Sequence, residues 1–160
     1  MSKRFNQFIG KAGHLHIMAE FLMRGWNVAI PEVDIGDDIF VVKDSEGTLR
    51  KVQVKTATAN ITQKGFYAHF SASFSNIRNL GPINTHYVFL VRKGNDWTKP
   101  VIIRQDVLLQ MFQEEGIGNL SGNTIVYRFS YSIDGTSVSC TGADFSSNIN
   151  NFEDFPIVLH

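Results

Sequence analysis

A carboxylate, an amide and an ammonium group recur over a short span. Asp38 opens the apolar run Ile39-Phe-Val-Val42, and Gln53 and Lys55 follow in Lys51-Val-Gln-Val-Lys55. Strand alternation places Lys51, Gln53 and Lys55 on one face and Val52 and Val54 on the other. If the connecting hairpin centres on Ser45 and Glu46, Asp38 lies opposite Gln53, with Lys55 one pleat away. Glu20 sits at the edge of the apolar stripe of a preceding helix, with His16 one turn earlier on the same side. Hydrolysis of a phosphodiester needs hard oxygen ligands for Mg²⁺ and a group that positions the attacking water. Asp38 and Glu20 are the oxygen donors for such a site. The amide of Gln53 is a further, neutral ligand, and Lys55 can orient water and offset charge on the phosphorane.

The elements that must position these residues are legible from their periodicity. From Lys3 to about Arg24, apolar residues at Phe5, Phe8, Ile9, Ala12, Leu15, Ala19, Leu22 and Met23 predict an amphipathic helix ended by Gly25. Val28 to Ile30, Ile39 to Val42, and Val52 with Val54 read as strands, with Asp44-Ser45-Glu46-Gly47 as a hairpin turn. Phe66 to Phe74, Tyr87 to Val91 and Val101 to Ile103 are further strands expected to extend the same sheet. Gln105 to Glu115 has helical spacing and stops at Gly116, and Ile125 to Ile133 with Ser137 to Cys140 form a late hairpin over Asp134-Gly135. A mixed α/β sheet flanked by helices, in a single domain, is the simplest architecture.

Composition bounds the rest. With 160 residues, 43% hydrophobic and 19% charged, the chain is an ordinary globular protein able to bury one core. No apolar run reaches the roughly 20 residues of a membrane span, and MSKRFNQF lacks the features of a signal peptide, so a soluble cytoplasmic protein with no membrane partner is expected. The lone Cys140 excludes an intramolecular disulfide and a zinc site built on several thiolates, and reads as a buried strand residue. The formal net charge is zero, but residues 61–104 carry 6 basic groups against 1 acidic, and residues 105–160 carry 1 against 7.

The order of a helix glutamate, then Asp-x-Gly-x-Asp before an apolar strand, then Gln-x-Lys on the next strand, resembles the PD-(D/E)XK nucleases over roughly residues 10–57. The Mrr-type restriction and Holliday-junction-resolvase branches are the most similar. The resemblance implies a restriction-endonuclease-like fold over residues 1–140, followed by an acidic tail, 141–160, whose Phe145, Phe152 and Phe155 dock on it. It implies an endonuclease acting on DNA with Mg²⁺, for which Mn²⁺ can substitute, and a homodimer. Glu20 takes the helix glutamate position, Asp38 the aspartate, Gln53 the acidic position of the D/E-x-K element and Lys55 its lysine. The sequence departs from the commoner pattern at Gln53, where an acid is usual. Asp34 and Asp37 compete for the aspartate role, and entry into the strand favours Asp38.

Other features point to blander roles or to partners. His14, His16 and His69 lack the i, i+4 spacing of a helical ligand pair, so no transition-metal site is expected from them. Lys64, Arg78, Arg92 and Lys93, interleaved with Phe66, Tyr67 and Phe70, either grip a nucleic-acid backbone or form a solvated sheet face. Asp144, Glu153 and Asp154 in the tail are read as part of a packing segment. The alternative to an enzyme is a catalytically inactive module on the same fold that binds nucleic acid or a protein partner, with Gln53 marking a lost metal site.

Overall fold

The computed structural model describes residues 3–32, 38–43 and 47–158, with the side chains of residues 3–5 outside the description. Asp34, Asp37 and the turn residues Ser45 and Glu46 therefore lie outside the described residues. The first helix, α1, spans Lys3–Met23. It closes through Gly25, whose amide donates to the Leu22 carbonyl at 2.9 Å with φ at 80°, a left-handed conformation that glycine adopts without strain.

The face that α1 buries differs from the stripe the sequence indicates. Ile9, Gly13, Ile17 and Phe21 point inward, whereas Phe8, Ala12, Leu15, Ala19, Leu22 and Met23 face solvent. Gly13 is the physical reason. A Cβ at that position would lie 2.2 Å from Cγ2 of Thr56, so only the face bearing the glycine can approach the sheet this closely.

Three strands follow: β1 (Asn27–Ala29), β2 (Ile39–Lys43) and β3 (Thr48–Thr58). β2 and β3 are antiparallel with Ile39 paired to Val52, the register that alternation predicts. After β4 (Asn60–Thr62), β5 (Gly65–Ser73) and the short α2 (Phe74–Arg78), the chain returns as β6 (Thr85–Lys93). β6 lies parallel to β3, with Gln53 beside Tyr87 and Lys55 beside Phe89. β7 (Asp96–Trp97) and β8 (Val101–Arg104) both pair with β6. α3 (Gln105–Glu115) stops at Gly116, and β9 (Asn119–Ser121), β10 (Thr124–Ser132), β11 (Val138–Cys140) and β12 (Ala143–Asp144) complete the order.

The result is the mixed α/β arrangement expected, a curled mixed sheet flanked by three helices. The curl resolves into two hydrogen-bonded sheets, with β5 pairing to β4 and β10 in the second rather than extending the first. β6 takes the free edge of β3, which leaves β5 to find its partner in β10. One core fills the space between the sheets, around Phe70, Phe89, Tyr127 and Phe129, and includes the buried thiol of Cys140. The other lies between the first sheet and α1, where Ile17 and Phe21 meet Val52, Val54, Val88 and Leu90.

The C-terminal segment closes this second core. Phe152 and Phe155 join it, Trp26 Nε1 donates to the Pro156 carbonyl at 2.8 Å, and the Val158 amide donates to the Arg24 carbonyl at 2.8 Å. No helix among the described residues is long and apolar enough to cross a membrane.

Candidate active site

Asp38 precedes β2 and extends its pairing with β3 in an unusual way. Its amide donates to the Val52 carbonyl at 3.0 Å, and its Oδ2 accepts the Val54 amide at 2.7 Å. Val52 and Val54 present their backbone groups to the same edge of β3, so the carboxylate stands where the next backbone carbonyl of β2 would be. That places it in the plane of the sheet, at the rim between its two faces. A carboxylate held by a backbone N–H is fixed more firmly than one on a free side chain.

Gln53 and Lys55 flank that rim on one face. The regular pairing of β2 with β3 ends at Ile39 and Val52, and Asp38, bonded to the Val52 carbonyl and the Val54 amide, stands beside the stretch of β3 that contains Gln53. Because parallel neighbours in a sheet share a face, Gln53 lies with Tyr87 and Lys55 with Phe89, on the side toward the second sheet. Val52 and Val54 occupy the opposite face under α1. Gln53 is buried and Lys55 half-buried, so neither lies on the fully solvated face of an edge strand.

From the other face, α1 delivers His14 rather than Glu20. His14 Nε2 lies 3.4 Å from Asp38 Oδ2, with the two side chains only 25% and 15% exposed. They share a hollow of about 400 Å³ with Gln7, Lys11, Ile30 and Pro31. Glu20 follows His14 by six residues, which on an α-helix is about 9 Å along the axis and about 240° around it. It shares the flank of His16, whose ring stacks against Trp97 of β7 at 6.0 Å, at the opposite edge of the first sheet from β1 and β2. Asp38 thus stands beside the stretch of β3 that carries Gln53 and Lys55, and Glu20 lies on the flank of α1 that carries His16. The signal for His14 was Gly13: a glycine at the closest helix–sheet approach marks its neighbour as a residue that reaches over the sheet.

The four basic residues expected to contact nucleic acid do not form one patch. Lys64 is exposed in the turn before β5, and Arg78 is exposed at the end of α2, beyond the far end of the same strand. Lys93 Nζ donates to the Ile133 carbonyl at 3.0 Å and lies 4.7 Å from the centre of the Phe66 ring. Arg92 Nη2 donates to Asn95 Oδ1 at 3.3 Å. These two cations are occupied by local structure. Among the described residues, no three His, Cys, Asp or Glu side chains come together as a group able to hold a metal ion.

No protein family and no curated protein matches the sequence. Among solved structures, the chain is similar to that of a bacterial homing endonuclease, I-Ssp6803I. The TM-score is 0.47 and the identity 21%, over 75% of this chain and 73% of that one.

Proposed function

We propose that the chain is a metal-dependent endonuclease hydrolysing DNA phosphodiester bonds at a site built on Asp38, Gln53 and Lys55. One observation carries this reading. The Asp38 carboxylate is fixed by the Val54 amide at the point on β3 flanked by Gln53 and Lys55, a spacing that alternation alone does not supply.

The donor set fits a hard divalent cation that keeps most of its own waters. Val54 and His14 engage Oδ2 of Asp38, and no hydrogen bond to Oδ1 occurs among the described residues, which leaves that oxygen as the ligand. The Gln53 amide oxygen, one residue before Val54 on β3, is a neutral second donor. With so few protein ligands, Mg²⁺ suits the site better than a cation that demands an all-protein cage, and Mn²⁺ can replace it. When bound, the cation supplies Lewis acidity toward the phosphoryl oxygen and an activated water. Lys55 then orients the attacking water and opposes the charge that builds on the phosphorane. His14 positions the Asp38 carboxylate from the α1 face, and Glu20 stays outside the ligand set.

A second reading has its own support. The neutral Gln53 and the lack of any three-residue metal group among the described residues favour an inactive module that binds nucleic acid or a protein without a cation. Mn²⁺ titration followed by electron paramagnetic resonance separates the two. The enzyme reading predicts binding that Asp38→Ala abolishes; no binding by the wild type, together with DNA binding unchanged by EDTA, would overturn it in favour of the module.

A further inference from the structure

β5 and β10 lie side by side in the second sheet and turn Phe66, Ala68, Phe70, Tyr127 and Phe129 into the core, so their alternate residues face outward. On that outer face His69, Ser71, Arg128 and Ser130 are exposed, and Tyr67 and Val126 are half-buried. A solvated sheet surface ordinarily mixes charges of both signs. Along β4, β5 and β9 to β12, the described residues carry one basic group, Arg128, and one carboxylate, Asp144. Asp144 sits on the last strand, where its Oδ1 accepts from the amide and the hydroxyl of Ser146.

Three planar groups gather at the middle of this face. Arg128 pairs with His69 across the two strands, and its guanidinium lies 4.3 Å from the centre of the Tyr67 ring. Tyr67 and His69 meet edge to face with ring centres 5.4 Å apart. Their neighbours in the register are short and polar: Ser130 and Asn60 flank Tyr67, and Ser71 follows His69 on the same face. Beside His69, a hollow of about 290 Å³ runs to Asn6 of α1 and to Thr56 and Thr58 of β3, the strand that carries Lys55.

We propose that Tyr67, His69 and Arg128 form a stacking platform for single-stranded DNA. Unpaired bases stack on aromatic rings and on guanidinium planes, and the short side chains around the cluster leave room for them. Arg128 also complements the phosphate beside a stacked base. A duplex suits this face less well. Its major groove admits a helix or a two-stranded ribbon, whereas the cluster lies in the middle of a broad sheet. Duplex backbones are gripped by several cations, and this face offers one. The choice of DNA rests on the nuclease reading above, since the hollow leads from the platform toward the strand of Lys55.

Fluorescence anisotropy of a labelled oligothymidylate of about 15 nucleotides, titrated with the whole chain in EDTA, tests the platform apart from metal and cleavage. Wild type is expected to bind it at least about tenfold more tightly than a duplex of the same length. With one cation engaged, log K should fall with log salt at a slope of about −0.7. Tyr67→Ala and His69→Ala are each expected to weaken binding about tenfold, while Tyr67→Phe, which keeps the ring, stays near wild type. Arg128→Lys keeps the charge but loses the plane, and is expected to weaken binding too. These side chains lie outside both cores, so circular dichroism should not change. Asp38→Ala is expected to bind as wild type does, so the nuclease reading can fail while the platform stands. No binding of the oligothymidylate by wild type overturns the proposal, as does preference for the duplex. So does binding that survives both Tyr67→Ala and His69→Ala, or a wild type that ignores DNA and sediments as a dimer dissociated by Tyr67→Ala.

Discussion

His14 Nε2 stands 3.4 Å from Asp38 Oδ2, the same oxygen that accepts the Val54 amide at 2.7 Å. Two groups from different elements thus converge on one carboxylate oxygen. If this contact orients a metal ligand, His14→Ala lowers Mn²⁺ affinity by about 10- to 100-fold, the usual effect of removing a group that positions a ligand. Glu20→Ala leaves affinity near that of wild type. Calorimetric titration of both variants checks the pair of outcomes, and the reverse ranking would restore Glu20 to the site.

Asp38 has a structural role beside its chemical one, and two substitutions separate them. Asp38→Asn keeps an oxygen for the Val54 amide but removes the charge, so cleavage and metal binding are lost while the thermal midpoint barely moves. Asp38→Ala also strands a half-buried N–H, which costs about 1–3 kcal/mol. Chemical denaturation of the two variants should differ by that amount.

Gly13 sets the distance between α1 and β3. Gly13→Ala forces a Cβ to within 2.2 Å of Thr56 Cγ2, and overpacking of this kind destabilises by about 1–3 kcal/mol. Thr56→Ser removes the obstructing methyl, so the double variant recovers much of the loss in a denaturation series. A Gly13→Ala protein as stable as wild type would mean that α1 does not lie this close.

His86 ties the first sheet to the C-terminal segment through Asp154, 2.8 Å from its Nε2. Burial, the largest influence, pushes its imidazole below the ordinary value of 6.5, against the opposing pull of Asp154. The unfolded chain therefore takes up this proton at a higher pH than the folded one. The stability held by neutral His86 is fully present above about 6.5 and is lost as the pH falls through the lower, folded value. The thermal midpoint should fall as the pH drops below about 6.5. His86→Gln should flatten part of that dependence, and an unaltered slope would contradict this role.

Much of the first sheet and the hairpin beneath the site could be read from alternation alone. Val52 and Val54 had to face a core, which turned Lys51, Gln53 and Lys55 the other way, and the register with β2 followed. α3 was legible to the residue because its apolar spacing ends at Gly116, a left-handed cap with φ at 67°. The second sheet was not legible, since alternation in β5 and β10 says which face is buried but not which strand is the neighbour. The orientation of α1 misled for a different reason. Its two apolar faces compete, and the contact between Gly13 and Thr56, distant in sequence, decides between them. That choice moved His14 to Asp38 and Glu20 away from it.

Asp38, Gln53 and Lys55 are proposed to form a working metal-dependent nuclease site. The most direct test incubates wild type and Lys55→Ala with supercoiled, linear, single-stranded and four-way-junction DNA in Mg²⁺ or Mn²⁺, beside an EDTA control. The site predicts cleavage of at least one substrate by wild type, abolished by EDTA and reduced about a hundredfold or more in Lys55→Ala. Cleavage that persists in EDTA, or at the wild-type rate in Lys55→Ala, would contradict it, as would no cleavage of any substrate by a wild type that binds no Mn²⁺.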